Sequence, residues 1–194
     1  MERLERIRFK EMLHAWSMSV VLSQTKIPYR SKFTLNALET LLTPAGERVV
    51  LDDKKTYRQL TVKTNGGGIV IRNEVKKRGK DIKTHRQTKV ENGQFLFSKI
   101  DARNGAFGII PKELDGAVVT AEFPVFTVNT ERIMPEFLLL VMASEEMTSY
   151  IKGMAQGSTN RKRLNVPTFL KIQVPLPSMV EQKNMMDEYA ATCL

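Results

Sequence analysis

The central stretch of this sequence, residues 48–128, restricts the fold most, because short runs of β-branched and aromatic residues alternate there with glycine and asparagine. Such runs are typical of strands, and the residues between them are typical of turns. The candidate strands are Tyr57 to Lys63, Gly68 to Arg72, Gln94 to Lys99, Gly108 to Ile110, Val118 to Thr120 and Val125 to Val128. Asn65-Gly-Gly-Gly68 and Arg103-Asn-Gly105 are candidate turns, because glycine adopts positive φ without steric cost. The stretch therefore predicts a mostly antiparallel sheet.

Helical patterns precede the predicted sheet. Residues 2–22 carry apolar side chains at roughly helical spacing and predict an amphipathic helix, which Pro28 keeps from continuing. Ser31 to Leu42 predicts a short second helix, and Thr43-Pro-Ala-Gly46 is expected to stop it.

Further helices are predicted after the sheet. Pro135 is expected to begin a strong helix that runs through Ile151 and ends at Gly153 and Gly157. Asn165 is a candidate cap of one helical turn, and residues 171–174 predict a brief strand closed by prolines at 175 and 177. A final helix is expected from Ser178, because Ser178-Met-Val-Glu181 has the spacing of a capping box.

Together these patterns predict an α/β (α+β) fold in which a twisted, mostly antiparallel sheet is flanked by helices. A length of 194 residues and a hydrophobic fraction of 42% suit one globular domain with appended helices. We expect an N-terminal helix and linker at residues 1–28, the main domain at residues 29–177 and the start of a further helix at residues 178–194.

Cysteine content and hydropathy indicate the compartment. Cys193 is the only cysteine, so an internal disulfide cannot form and a reducing environment is expected. The first residues lack the basic-then-apolar pattern of a signal peptide, and the longest apolar run, Phe137 to Ala143, is too short to cross a bilayer. We therefore expect a cytoplasmic protein that does not enter the membrane.

Positive charge is concentrated in one part of the chain. The formal net charge is +9, and residues 54–103 contain fourteen lysines and arginines against four acidic residues, a local balance of +10. The rest of the sequence is close to neutral. This distribution makes a polyanionic partner plausible and places its binding surface in the central region.

The sequence offers little catalytic chemistry. Gly66-Gly-Gly68 lacks the Lys-Ser/Thr that follows in a phosphate-binding loop, and Asn165-Val-Pro-Thr168 lacks the second proline and the aromatic residue of an amino-methyltransferase motif. His14 and His85, the only histidines, predict no metal site. Asp101 and Glu122 are the best carboxylate pair for a Mg²⁺-dependent nuclease, and that enzyme is kept as an alternative. We expect neither a cofactor nor a metal.

Three short basic segments are candidates for contact with nucleic acid, since cations neutralise phosphates and Arg, Asn and Gln can also read base edges. They are residues 72–86, 98–105 and 157–163. The candidate contact residues are Arg72, Lys76, Lys77, Arg78, Lys83, Thr84, Arg86, Lys99, Arg103, Asn104, Ser158, Thr159, Asn160, Arg161 and Lys162. The alternative is a set of solvated charged loops on an interaction scaffold that does not bind DNA.

The C-terminal part of the sequence closely resembles a known family. Gly157-Ser-Thr-Asn-Arg-Lys-Arg-Leu-Asn165 and then Ile172-Gln-Val-Pro-Leu-Pro-Ser-Met-Val-Glu-Gln182 resemble the end of a target-recognition domain in type I restriction-modification specificity subunits. The family pattern is a Gly-Ser/Thr basic loop, an apolar turn, a strand, Pro-x-Pro and a Glu-Gln pair that opens a long helix. All of these features occur here in order.

Upstream, the resemblance is looser. Asn92-Gly-Gln-Phe-Leu-Phe-Ser98 is similar to the Gly-Asp-Leu-Ile segment of the family, with Gln94 in place of the acid. Asn104 to Ile110 and Val118 to Phe123 are similar to the strands that follow. The resemblance spans roughly residues 30–182.

The resemblance implies that this is a non-catalytic protein, which binds half of a bipartite site in double-stranded DNA. It implies partner methyltransferase and restriction subunits that carry methyl transfer and cleavage. Members usually have two recognition domains joined by long helices in an antiparallel coiled coil. This chain contains one such domain, residues 29–177, and the start of one coiled-coil helix, residues 178–194, so we expect half of a specificity subunit or a truncated one. Self-association through such short helices is expected to be weak.

Overall fold

The computed structural model describes residues 33–72, 77–154 and 163–192. Its strands are β1 (Thr34–Ala37), β2 (Leu42–Pro44), β3 (Glu47–Val50), β4 (Thr56–Tyr57), β5 (Leu60–Val62), β6 (Ile69–Ile71), β7 (Lys77–Arg78), β8 (Arg86–Lys89), β9 (Phe95–Phe97), β10 (Phe107–Ile109), β11 (Val118–Val119), β12 (Val125–Val128) and β13 (Gln173–Leu176). Its α-helices are α1 (Pro135–Ala143), α2 (Glu145–Met154), α3 (Val166–Leu170) and α4 (Met179–Thr192). Short 3₁₀ helices occur at Leu38–Thr40, Gly79–Asp81, Ala102–Asn104 and Lys112–Leu114.

Strand pairing within the described sheets is antiparallel. One sheet has the order β10-β9-β12-β2, a second has the order β11-β8-β3, and the pairs β1-β13, β4-β7 and β5-β6 form small ribbons. The predicted mixed α/β class with antiparallel pairing is confirmed, although the pairing is divided among several small sheets. The predicted helix at residues 2–22 lies outside the described residues, and the division of the chain at residues 28 and 177 stays a prediction.

Strand β9 lies at the centre of the structure, because it is buried on both faces. Phe95 and Phe97 lie on one face and Leu96 on the other, as the twofold periodicity of a strand requires. The two phenylalanines join the larger core, in which Phe169 stacks on Phe95 at a ring-centroid distance of 6.2 Å and the inner side of α1 also packs. Leu96 joins a second core with Leu60 and other residues of the central strands. One strand thus connects the helical side of the structure to the strand-rich side.

The predicted helix from Ser31 to Leu42 is wrong. The described part of this segment forms β1, the 3₁₀ helix at Leu38–Thr40 and β2. β1 pairs with β13, and the Leu38 N–H donates a hydrogen bond to the Ile172 carbonyl at 3.0 Å. Leu38, Leu41 and Leu42 are all buried. Because tertiary pairing outweighs the small differences in helix propensity, the leucine spacing does not produce a helix here.

The long helix predicted from Pro135 begins at that residue but is interrupted at Ser144. The backbone of Ser144 is extended, with ψ at 150°, and its Oγ accepts a hydrogen bond from the Met147 N–H at 3.2 Å. Ser144 thus ends α1 and stabilises the first turn of α2, as serine commonly does at a helix N-terminus. Gly153 lies within α2 and does not end the helix.

Strand boundaries also differ from the prediction in places. The predicted strand from residue 57 to residue 63 is divided between β4 and β5, and the strand predicted to stop before Pro175 continues through it as β13. Asn165 precedes α3 as predicted, but its side chain makes no capping hydrogen bond. The strands β3, β7 and β8 are not predicted by the sequence, because their charged composition is typical of exposed loops.

The two predicted glycine turns contact each other. Asn65 has φ of 55° and Gly105 has φ of 72°, so both adopt the left-handed conformation expected of turn residues. The Asn65 N–H donates a hydrogen bond to the Asn104 carbonyl at 2.7 Å. The turns predicted separately therefore form one structural unit next to α2.

The predicted capping box of α4 is confirmed. The Ser178 N–H donates to Glu181 Oε2 at 2.9 Å, and the Glu181 N–H donates to Ser178 Oγ at 3.4 Å. One residue later, the fully buried amide of Gln182 accepts from the Met134 N–H at 2.8 Å and donates to the Arg132 and Pro177 carbonyls at 2.9 Å each. This amide fixes the start of α4 against the turn that precedes α1.

We predict that Gln182→Ala lowers the free energy of unfolding by about 2–4 kcal/mol, because one buried and two part-buried backbone groups lose their hydrogen-bond partner. Lys183→Ala is the matched control, since this neighbouring side chain is exposed and its removal should change stability by less than about 0.5 kcal/mol. Urea titration of both variants measures the difference. Equal stability of the two variants would contradict the role of Gln182.

A second prediction concerns Gly79, which positions the basic segment around β7. Gly79 is buried, its N–H donates to the Lys55 carbonyl at 2.9 Å, and a Cβ atom there would overlap the Asp52 carbonyl. Gly79→Ala should therefore separate residues 77–83 from the 52–55 loop and cost about 1–3 kcal/mol of local stability. Hydrogen exchange of a peptide covering residues 77–84 should become about tenfold faster or more.

Gly153→Ala is the control for this variant, because a Cβ atom at Gly153 meets nothing within 4 Å and the residue lies in α2. Hydrogen exchange of residues 77–84 in Gly153→Ala should stay unchanged, and the stability of α2 should rise by up to about 1 kcal/mol. If hydrogen exchange of residues 77–84 in Gly79→Ala equals that of the unaltered chain, the close approach of Gly79 to Asp52 does not position the basic segment.

Candidate nucleic-acid interface

The sequence suggests that the basic region is a set of loops, but the structure contains two strands there. β7 carries Lys77 and Arg78, and β8 begins at Arg86. β8 pairs with β3 so that Val50 lies opposite Arg86 and Arg48 lies opposite Thr88. Directly opposed residues share a face of an antiparallel pair. Arg48, Val50 and Arg86 therefore lie on one exposed face, and Gln87 lies on the buried face.

A groove of about 390 Å³ collects four of the predicted contact residues. We call it the cationic groove. Its lining residues are Gln59, Arg72, Lys77, Asp81, Ile82, Lys83, Thr84 and Thr120. The three cations are exposed, whereas Gln59 and Thr120 are half-buried. Residues 72–83 thus place three positive charges around one concave surface, to which the distant segments add Gln59 and Thr120, with Asp81 as the carboxylate among its described lining residues.

A second groove, of about 550 Å³, lies along β3 and β8. We call it the strand groove. It is lined by Pro44, Ala45, Gly46, Arg48, Val49, Val50, Arg86, Gln87, Thr88, Lys99, Ala121, Phe123, Pro124, Val125, Phe126 and Val166. The linings of the two grooves are connected along the chain, because Thr84 and Thr120 line the first and their near neighbours in the sequence, Arg86 and Ala121, line the second. We call the two grooves together the joined grooves, and they carry six cations, which are Arg48, Arg72, Lys77, Lys83, Arg86 and Lys99.

Arg103 and Asn104 lie elsewhere. They line a third groove of about 740 Å³, which we call the helix groove because α1, α2 and α4 form its other side. Arg78 lies on β7 opposite Thr56 and, among the described residues, lines none of these three grooves. The structure therefore brings together six of the nine described contact candidates, namely Arg72, Lys77, Lys83, Thr84, Arg86 and Lys99.

The remaining six candidates, Lys76, Ser158, Thr159, Asn160, Arg161 and Lys162, lie outside the described residues. The last residue of the third basic segment, Arg163, is described. Its guanidinium pairs with Glu122 at 3.2 Å, and the adjacent Leu164 N–H donates to the Lys99 carbonyl at 2.8 Å. The second and third basic segments therefore meet beside Lys99, at the edge of the strand groove.

Some cations of the basic region serve the fold. The Arg58 guanidinium donates hydrogen bonds to the carbonyls of Glu113 and Asp115, the second at 2.8 Å. Lys89 lies 3.8 Å from Glu47, with both side chains largely exposed. In contrast, the six cations of the joined grooves form no ion pair with any carboxylate in residues 33–72, 77–154 and 163–192. Their charge is thus available to an anionic ligand.

The carboxylates of the nuclease alternative take part in local structure. Glu122 Oε1 pairs with Arg163, and Asp101 Oδ2 accepts a hydrogen bond from Ser98 Oγ at 3.4 Å. In the part of the chain that the structure describes, no three His, Cys, Asp or Glu side chains come together as metal ligands. No described helix is long and apolar enough to span a membrane.

Arg48, Gln59 and Thr120 line the joined grooves but are absent from the sequence-based prediction. A strand pattern would reveal Arg48, because in a strand Arg48 and Val50 lie on one face and Val49 and Leu51 on the other. The charge of Arg48 obscures this pattern. Gln59 lies within a predicted strand, and Thr120 ends another. Local sequence carries no signal that these two residues share a groove, because tertiary structure alone brings their segments together.

Comparison with known proteins shows the family. A family model described as the type I restriction modification DNA specificity domain matches residues 49–188. The specificity subunit of the type I restriction enzyme HindI from Haemophilus influenzae is 27% identical over 109 residues, which are 56% of this chain and 24% of that protein. The chain thus spans about a quarter of the length of this curated relative.

Solved structures have the same fold. The HsdS subunit from Thermoanaerobacter tengcongensis is similar with a TM-score of 0.68 and 20% identity, over 87% of this chain and 44% of that chain. A structure described as the basis of complex assembly and conformational transition of the type I R-M system gives a TM-score of 0.65 at 18% identity, over 86% of this chain and 43% of that one. Because the family model covers well over half of the chain, this protein belongs to the type I restriction modification DNA specificity domain family.

Proposed function

We propose that this protein binds double-stranded DNA at a specific sequence, as the recognition component of a type I restriction-modification complex. The observation that carries the proposal is the set of six cations that line the cationic and strand grooves, since none of them has an ion-pair partner among the described residues. Family membership supports the same ligand. Under this proposal the chain has no catalytic role, and methyl transfer and cleavage belong to other subunits.

The arrangement of these cations suits a duplex. Lys77 and Arg86 begin short strands, and Arg72 directly follows β6, so their backbones are held by strand pairing and not by free loops. Cations on rigid elements lose less conformational freedom on binding phosphate than cations on mobile loops. Contacts with phosphate position a protein on DNA, and nearby polar groups can then read base edges.

Assembly with methyltransferase and restriction subunits is a further part of the proposal, and the exposed side of α4 is the element we assign to it. Met179 and Val180, at the start of α4, are 38% and 69% exposed, although they are large and apolar. An exposed apolar patch on a helix commonly marks a protein interface. The same helix would allow weak self-association. A cytoplasmic location, where such a complex meets DNA, belongs to this proposal.

The salt dependence of DNA binding tests the proposed function. Because each neutralised phosphate releases counterions, the logarithm of the association constant should fall linearly with the logarithm of salt concentration. Lys83→Ala should weaken binding and reduce the magnitude of the slope by about 0.9, the value for one phosphate contact. Lys171→Ala is the matched control, because this exposed lysine lies outside the described grooves. Fluorescence anisotropy with a labelled duplex measures both variants.

Binding that does not depend on salt, or equal slopes for Lys83→Ala and Lys171→Ala, would contradict the assigned surface. A separate assay tests the non-catalytic part of the proposal. DNA cleavage by the purified chain with Mg²⁺, abolished by Asp101→Ala, would support the nuclease alternative instead.

A further inference from the structure

Gln59 is unusual among the glutamines of this structure. The side chains of Gln87, Gln94 and Gln182 form hydrogen bonds with backbone groups, with Gln87 Nε2 donating to the Thr84 carbonyl and Gln94 Oε1 accepting from the Glu91 N–H. The side chain of Gln59 forms no such bond within the described ranges, although the residue is half-buried in the cationic groove. A primary amide offers two donors and an acceptor, so its hydrogen-bonding capacity is left to solvent or to a ligand.

The backbone of Gln59 is held from two sides. Its carbonyl accepts a hydrogen bond from the Arg72 N–H at 2.7 Å, and an isolated parallel bridge pairs it with Val118. The preceding residue, Arg58, is fixed by its bonds to the 113 and 115 carbonyls, and its own carbonyl accepts from the Val118 N–H at 2.9 Å. A side chain that must recognise a base has to be supported by rigid neighbours. Gln59 meets this requirement.

The polar side chains of the cationic groove are of two chemical kinds. Arg72, Lys77 and Lys83 are exposed in the same groove and are suited to phosphate, whereas Gln59 is half-buried there and its amide is neutral and directional. The neighbouring β4-β7 ribbon is two-stranded, and the major groove of B-DNA, about 12 Å wide, admits such a ribbon. There, a glutamine amide pairs with adenine by donating to N7 and accepting from N6.

Building on the proposed function, we propose that Gln59 is a specificity-determining residue that reads an adenine through the major groove, while Arg72, Lys77 and Lys83 hold the adjacent phosphates. The loss of one bidentate contact to a base should reduce discrimination on the order of 10- to 100-fold at a single base pair. The same loss should leave the charge of the interface, and so the salt slope, unchanged. Loss of a phosphate contact should instead reduce the salt slope and leave the base preference unchanged.

The experiment is a selection of randomised duplexes by the full chain, followed by sequencing and by anisotropy titrations in a salt series. Gln59→Ala is compared with Lys83→Ala and with Gln173→Ala, an exposed glutamine of β13 outside the described grooves. Gln59→Ala should lose its preference for adenine at one position about tenfold or more and should keep the salt slope of the unaltered chain. Lys83→Ala should keep every base preference with a smaller slope, and Gln173→Ala should match the unaltered chain.

The outcomes separate the two proposals. If the unaltered chain selects a sequence and Gln59→Ala selects the same one with the same stringency, Gln59 does not read a base, and the proposed function stands. A lost preference for a base other than adenine would overturn the adenine assignment. If the unaltered chain shows no salt-dependent binding to any duplex, the proposed function fails, and the inference on Gln59 fails with it. Thermal unfolding of Gln59→Ala should match the unaltered chain, which ensures that folding does not cause the change.

Discussion

The burial of β9 on both faces is the constraint on which the rest of the structure depends. Its phenylalanines pack into a core shared with α1, α2 and α4, and Leu96 packs into a core shared with the central strands. Because the strand must be covered on both sides, helices gather on one side and short strands on the other. The helix groove lies on the helical side, and the cationic groove is lined by Ile82, which packs with Leu51 and Val118 in a small third core. The two grooves thus differ in their chemistry and in the core beneath them.

The same arrangement distinguishes cations that belong to the fold from cations that are available to a ligand. Arg58 fixes the turn at residues 113–115, and Arg163 pairs with Glu122 next to Lys99. These pairs position the neighbouring segments and neutralise little of the surface charge. The cations of the joined grooves stay without carboxylate partners in the described residues. A high local charge is therefore not a uniform binding surface, since only its unpaired members are available to an anionic ligand.

Local patterns predicted some features well. The capping box at Ser178 and Glu181 depends on neighbouring residues alone, and so do the glycine turns, so both follow from the sequence. The helix predicted from Ser31 to Leu42 is wrong, because β1 and β2 in this segment pair with β13 and β12, which are distant in the sequence. β7 and β8 carry charges on exposed faces, which hides their strand character. The convergence of Gln59, Lys83 and Thr120 depends on tertiary contacts that no local pattern contains.

The hydrogen bonds of Gln182 show how the C-terminal motif connects α4 to the rest of the domain. Its amide binds the turn before α1 and the carbonyl of Pro177, so α4 has a fixed starting point on the domain. A partner that holds α4 would consequently hold the recognition domain in a defined orientation. Sequence similarity marked this glutamine, and the hydrogen bonds of the structure give the physical reason.

Chemical footprinting of lysines tests the central claim most directly. The purified chain is acetylated briefly with and without a DNA duplex at low salt, and the extent of modification at each lysine is measured by mass spectrometry. The account predicts that DNA slows modification of Lys77, Lys83 and Lys99, which line the joined grooves, and leaves Lys112, Lys171 and Lys183 unchanged. Protection confined to the second set, or equal protection of both sets, would contradict the assignment of this surface to DNA.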